Sequence, residues 1–176
     1  MTDNPLVTIG ITSFNAEDNI ERCILSALNQ TYKNKEIIIV DDGSTDGTKK
    51  ILLQYKKKYP EIKIIMNEKN YNCAYSLNVM HKEAKGEFIA YFDDDDYSKS
   101  DRISKQLSRL LSYEIEHKTQ NVFVFGNRNI LRISVSDIIK DLFVSSPTHH
   151  TKYYIEWNVN SSKFVSYNLY CNLTIT

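Results

Sequence analysis

The chain has 176 residues, 41% hydrophobic and 25% charged, which suits one α/β domain with a real core and is hardly enough for two. Its 22 basic and 22 acidic residues cancel. That balance excludes a general electrostatic pull toward nucleic acid or anionic membrane, so a phosphate-bearing ligand must be held by a local device.

Val7 to Thr12 is a short β-rich run, and from Asp18 onward Ile20, Ile24, Leu25 and Leu28 recur at helical spacing as far as Asn29. Glu36 to Val40 contains the Ile-Ile-Ile-Val run that a strand buried on both faces requires, and it stops at Asp41-Asp42-Gly43-Ser44. Thr45 or Asp46 is placed to cap a second helix carrying Ile51, Leu52 and Tyr55. That helix closes on Lys56-Lys57-Lys58, where positive charge complements the helix dipole and needs no binding role. Ile62 to Met66 reads as a third strand, and Cys73 to Lys85 as a third helix stopped by Gly86 in the C′ position. Phe88 to Phe92 is a fourth strand running into Asp93-Asp94-Asp95-Asp96. A helix from about Asp101 to Leu111 shows Ile103, Leu107, Leu110 and Leu111 on one face, and Val122 to Phe125 reads as a fifth strand. Past Ser134 the pattern weakens to a short helix over Ser136 to Phe143 and scattered β-formers such as Phe164-Val165.

Alternating strands and helices predict a mainly parallel sheet covered on both faces, with ligands beyond the carboxyl ends of the strands. The conspicuous polar residues fall at those ends: Thr12 to Asn15 after the first strand, Asp41 and Asp42 after the second, the four aspartates after the fourth. Four adjacent carboxylates offer hard oxygen ligands suited to Mg²⁺, Mn²⁺ or Ca²⁺. The competing reading is a solvated turn. For Asp41-Asp42-Gly43-Ser44 the alternatives are a tight turn or a carboxylate that accepts from a nucleobase imide or a ribose hydroxyl. Phe14 stacks on a base or belongs to the core, and Asn15 either serves the site or caps the following helix.

Cys23, Cys73 and Cys171 are an odd set without a CxxC pair, against a disulfide framework or zinc site and toward a reducing compartment. The first residues lack signal-peptide features, and no apolar run approaches the roughly 20 residues that span a bilayer. The expected location is the cytoplasm, free or peripheral at the membrane.

In order along the chain, Val7 to Asn15, Ser26 to Tyr32, EIIIVDDGSTD from Glu36 to Asp46, Asn70, Asn78, Ala84 and Gly86-Glu87, and Phe92 to Asp96 followed by Asp101-Arg102-Ile103 resemble the family 2 glycosyltransferases. The resemblance implies the three-layer α/β/α, Rossmann-like GT-A nucleotide-diphospho-sugar transferase fold with a mainly parallel central sheet. It divides the chain into a nucleotide-sugar-binding domain over 1–130 and a shortened or atypical acceptor-side segment over 131–176. It also implies an inverting, metal-dependent transfer from a nucleoside-diphosphate-sugar, by family habit a UDP-sugar, to a glycan or lipid-linked acceptor. No nucleic acid takes part.

By the same resemblance Thr12 and Phe14 flank the base, Asp41 holds its imide edge and Asp94 lies near the ribose and sugar. Asn15, Asp42 and Asn72 complete the nucleotide side. Asp95 is the leading ligand of Mn²⁺ or Mg²⁺, with Asp93 and Asp96 supporting. The family usually has Gly where Asn72 and Met80 stand and often Arg where Leu77 stands, and its usual Pro after the acidic run is Ser100 here. Its base, commonly in an E-D pair, has no counterpart here, so Glu156 beside Trp157 is the candidate, since an aromatic neighbour raises a carboxyl pKa by desolvation. The competing expectation is a truncated or divergent copy that binds nucleotide-sugar without catalysis. A nucleotidyltransferase is disfavoured because its Gly- and Arg/Lys-rich first loop is replaced by Thr12 to Asp18, acidic and without glycine.

Overall fold

The structure, a computed structural model, describes residues 4–117, 124 and 163–166. Strands β1 (Val7–Ser13), β2 (Lys35–Asp41), β3 (Lys63–Met66), β4 (Phe88–Asp93) and β5 (Lys163–Ser166) form one sheet in the order β3-β2-β1-β4-β5. Every neighbouring pair is parallel. Helices α1 (Ile20–Leu28), α2 (Thr48–Lys58), α3 (Cys73–Glu83) and α4 (Arg102–His117) lie between them in sequence.

Alternation along the strands decides what each face packs against. Val7, Ile9 and Ile11 of β1 join Ile37 and Ile39 of β2 and Phe88, Ala90 and Phe92 of β4 in one core with α1, α2 and α4. The helices contribute Ile20, Cys23, Ile24, Leu52, Ile103, Leu107 and Leu110. The opposite face receives α3, which contacts β1 and β2. There a Cβ on Gly10 would stand 2.7 Å from Met80 Sδ, so a bare backbone lets α3 approach. Helices on both sides of a parallel sheet give the expected three layers.

Two local readings change. Gly86 is not a left-handed helix cap: α3 ends earlier, with Ala84 as C-cap, and among the described glycines only Gly43 has positive φ. Gly86 is instead required by close approach. A Cβ there would sit 2.5 Å from the Thr8 backbone nitrogen, and the Gly86 N–H donates to Thr8 Oγ1 at 3.0 Å and Glu36 Oε1 at 3.1 Å. The helix expected from Asp101 to Leu111 runs on to His117. The strand expected over Val122 to Phe125 and the helix over Ser136 to Phe143 lie outside the described residues, Val124 excepted, and the fifth strand of the sheet is β5.

Candidate functional site

Parallel pairing brings the polar strand ends side by side. Ser13 stands opposite Asp41, and Thr12 opposite Asp93. The strand order turns at β1, with β2 on one side and β4 on the other, which is where an open α/β sheet leaves a crevice.

Phe14 is 44% exposed, which excludes the core reading and leaves its ring open at the sheet edge. Its backbone N–H donates to Asp94 Oδ2 at 3.2 Å, tying the end of β1 to the acidic run. Asn15 does not cap α1, whose N-cap is Asn19. With φ of 50° it turns back, accepting from the Thr45 N–H at 2.8 Å while its own N–H donates to Ser44 Oγ at 2.9 Å. Thr12 Oγ1 lies 3.9 Å from Cys73 Sγ at the start of α3.

Asp41 is fully buried and its carboxylate accepts from the Ser44 N–H at 3.1 Å and from the Ser44 hydroxyl. As placed it braces the loop and is fully buried, so contact with a base requires the Ser44 hydroxyl to turn away and uncover one oxygen. Asp42 is 3% exposed and binds across to the loop after β3, accepting from Asn67 Nδ2 at 2.9 Å and the Tyr71 N–H at 3.0 Å. After Asp42, Gly43 has φ of +73°, open to glycine at little cost. Asn72 also has positive φ, 83°, unusual for a side-chain-bearing residue, and caps α3 by accepting from the Tyr75 N–H at 3.1 Å.

The acidic run closes a turn in which the Asp96 N–H donates to the Asp93 carbonyl at 3.0 Å. Asp93, Asp94 and Asp96 are half-buried and Asp95 is exposed. Burial first, then the charges of Asp96, Asp95 and Asp94, pushes the Asp93 carboxyl up to about 7. Burial raises Asp94 to about 6 against the opposing Phe14 N–H bond. Cys23 is buried nearby: burial, then Asp94, Asp93 and Asp96, pushes its thiol up, so it stays protonated.

Two arginines border the run. The Arg102 guanidinium lies 4.4 Å from the Phe92 ring centroid and donates to the Tyr91 carbonyl at 2.8 Å and Ser98 Oγ at 2.6 Å. Exposed Arg22, from the first turn of α1, donates to the Asp95 carbonyl and holds the loop by its backbone. The sequence pattern assigns no part to Tyr71 or Arg22, because each acts across the fold on a buried carboxylate or a backbone carbonyl, nor to Ser44, whose bonds to Asp41 are local but depend on the fold of the loop.

The donor set fits a hard divalent cation recruited together with phosphate oxygens. Among the described residues no group of three His, Cys, Asp or Glu side chains is arranged to hold a metal ion. Asp93, Asp95 and Asp96 therefore do not form an all-protein cage as they stand. Mg²⁺-type ions commonly use one or two carboxylates plus substrate phosphates, and an exposed Asp95 beside carboxyls that resist ionisation meets that need. Asp93 to Asp96, Phe14, Asn15 and the Asp41–Asp42 loop are thus brought to one edge; Glu156 lies outside the described residues.

Comparison with known proteins agrees with the fold. The chain is 35% identical over 129 residues to the UDP-Glc:alpha-D-GlcNAc-diphosphoundecaprenol beta-1,3-glucosyltransferase WfgD of Escherichia coli, covering 73% of this chain and 50% of that protein. The crystal structure of S. aureus TarS 1-349 in complex with UDP-GlcNAc is similar with a TM-score of 0.58 and 26% identity, covering 73% of this chain and 36% of that one. The mannosyltransferase PcManGT from Pyrobaculum calidifontis shares the fold at a TM-score of 0.59 and 22% identity, covering 72% of this chain and 37% of its own. The chain thus spans half or less of the length of each of these proteins. The family pattern described as Glycosyl transferase family 2 matches residues 8–160, most of the sequence. The chain belongs to the family 2 glycosyltransferases and has their GT-A fold.

Proposed function

We propose that this chain is the donor-binding part of a glycosyltransferase that takes a nucleoside-diphosphate-sugar, preferably a UDP-sugar, and transfers the sugar to a glycan or lipid-linked acceptor in surface-glycan synthesis. The observation that carries the reading is the meeting, at one sheet edge, of an exposed aromatic ring and a carboxylate-dense turn, Phe14 bonded to Asp94. WfgD is named for a diphosphoundecaprenol-linked acceptor and TarS was solved with UDP-GlcNAc, which supports both ends of the proposal.

Phe14 and Thr12 flank the base, and Asn15 and Asp42 keep the loops on either side in place. Asp41 reads the imide edge with one oxygen once the Ser44 hydroxyl turns away. Asn72 closes the nucleotide side from the start of α3, and Asp94 lies near the ribose and sugar. Asp95 is the leading metal ligand, with Asp93 and Asp96 supporting. When bound, Mn²⁺ or Mg²⁺ supplies Lewis-acid offset of the charge that develops on a diphosphate leaving group. Glu156 takes the acceptor proton as the anomeric carbon passes through an oxocarbenium-like state, and the configuration inverts. A second reading is nucleotide-sugar binding without turnover by this chain alone, on the ground that no E-D pair follows Asp96.

Calorimetric titration with UDP, GDP and their sugars, with and without Mn²⁺, tests the proposal. UDP should bind about tenfold tighter or better with metal. Asp95→Ala should lose that increment and keep the wild-type Tm, since Asp95 is exposed. An Asp95→Ala chain with unchanged metal-dependent affinity would sink the metal assignment. Sugar release from the same donors, with acceptors supplied, separates the two readings.

A further inference from the structure

We infer that the outer face of α2 is a docking surface for an anionic phospholipid bilayer. The chain is neutral, yet α2 carries Lys49, Lys50, Lys56, Lys57 and Lys58 and no acidic residue. Its buried side is set by Thr48, Leu52 and Tyr55. At about 100° per residue, Lys49, Lys50, Leu53, Lys56 and Lys57 fall within one arc of about 120° on the side away from the core. Leu53 lies near the middle of that arc and is 56% exposed.

Complementing the helix dipole explains positive charge only in the last turn. It does not explain Lys49 and Lys50 at the opposite end, where cations are unfavourable, nor an exposed leucine between the two pairs. Intramolecular pairing does not explain them either. The salt bridges among the described residues join Lys63 to Glu83 and Lys105 to Asp101, and none involves an α2 lysine. Carboxylates bordering α2 are engaged elsewhere: Asp46 accepts from the Thr48 N–H at 3.0 Å and the Glu17 N–H at 3.1 Å, Glu21 from the Tyr55 hydroxyl at 2.9 Å, and Glu17 from the Gly47 N–H. Lys58, on the other flank, sits 5.2 Å from the Tyr59 ring centroid and is not counted in the patch.

Four cations around one projecting apolar side chain form a basic amphipathic face, which gains from anionic headgroups by charge and from the acyl boundary by apolar contact. No helix among the described residues is long and apolar enough to cross a membrane, so such a face docks beside the bilayer. The inference does not require the donor reading, although a lipid-linked acceptor would make the docking useful.

The test is cosedimentation of the whole chain with vesicles of phosphatidylglycerol and phosphatidylethanolamine, against vesicles of phosphatidylcholine alone. The wild type should bind the anionic vesicles, ignore the zwitterionic ones and dissociate at about 1 M salt, where the Debye length is about 3 Å. The variant Lys49→Gln/Lys50→Gln/Lys56→Gln/Lys57→Gln keeps good helix formers and should bind about tenfold or more weakly. A control with the same charge change, Lys33→Gln/Lys69→Gln/Lys82→Gln/Lys85→Gln, should bind as the wild type does. Equal losses in both variants, no loss in the α2 variant, or no wild-type binding would each overturn the inference. So would retention by single-stranded RNA in place of vesicles. Circular dichroism and UDP affinity, measured on the same samples, report separately on folding and on the donor site.

Discussion

At the scale of single residues, Asp41 and Gly43 show how one short loop serves both fold and site. The Asp41 carboxylate takes two hydrogen bonds from Ser44 in a fully buried position. In Asp41→Asn only one oxygen remains to accept, so one Ser44 donor is left unsatisfied at about 1–3 kcal/mol. A lower Tm is therefore expected whatever the ligand. Base recognition adds a separate signature: preference for UDP over GDP, CDP and ADP should narrow in titrations of the variant. An equal loss across all four would show that Asp41 only braces the loop. Gly43 is more constrained, since a Cβ there would come 2.3 Å from the Lys69 carbonyl carbon at positive φ. Gly43→Ala meets backbone rather than a movable side-chain tip and should destabilise by about 1–3 kcal/mol in urea denaturation. Because the Asp42 bonds to Asn67 and Tyr71 join the same two loops, UDP affinity should fall with stability.

At the scale of elements, α3 stands apart as the helix packed on the face opposite the main core, and His81 helps fix it to β4. The His81 Nε2 meets the Tyr91 hydroxyl, and the two rings stack at 5.7 Å. Burial lowers the His81 pKa from 6.5 to about 4. Between those values the unfolded chain binds the proton and the folded chain does not. The contribution of a neutral His81 is therefore complete above about pH 6.5 and lost as pH falls toward 4. Denaturation midpoints measured at pH 7 and pH 4.5 should differ less in His81→Leu than in the wild type; an unchanged difference would show that His81 is not the group responsible. The four helices and first four strands were legible because each is a local apolar pattern bounded by polar residues, as in Ile37 to Val40 before Asp41. What escaped was non-local. Phe164-Val165 was legible as a β-former, but the four-residue β5 that holds it is too short to display a period, and its place in the sheet depends on pairing with β4. Gly86 carried the local signature of a helix stop, while its actual constraint comes from Thr8, far away in sequence. The site was legible as residue types at strand ends; that Asp41 faces Ser44 and Asp42 faces Asn67 and Tyr71 was not, because only the folded loops decide which donors arrive.

At the scale of the whole chain, zero net charge conceals a division of labour. Carboxylates gather at the carboxyl edge of β4, and lysines along α2. Burial first, and neighbouring like charges after it, oppose ionisation at this folded edge and raise the pKa values of Asp93 and Asp94. A ligand that brings a cation to this edge relieves the repulsion only in the folded state, so its binding energy must appear as stability. The Tm should therefore rise in proportion to the logarithm of UDP concentration once Mn²⁺ is present, with about 2.7 kcal/mol gained at a hundredfold excess over Kd. Mn²⁺ alone should give a smaller gain, because the described residues hold no three-ligand cage and the remaining ligands have to come from phosphate. Thermal melts across a grid of UDP and Mn²⁺ concentrations separate these terms. Full stabilisation by Mn²⁺ without nucleotide would mean that the protein assembles the metal site unaided, and the diphosphate would lose its proposed part in it.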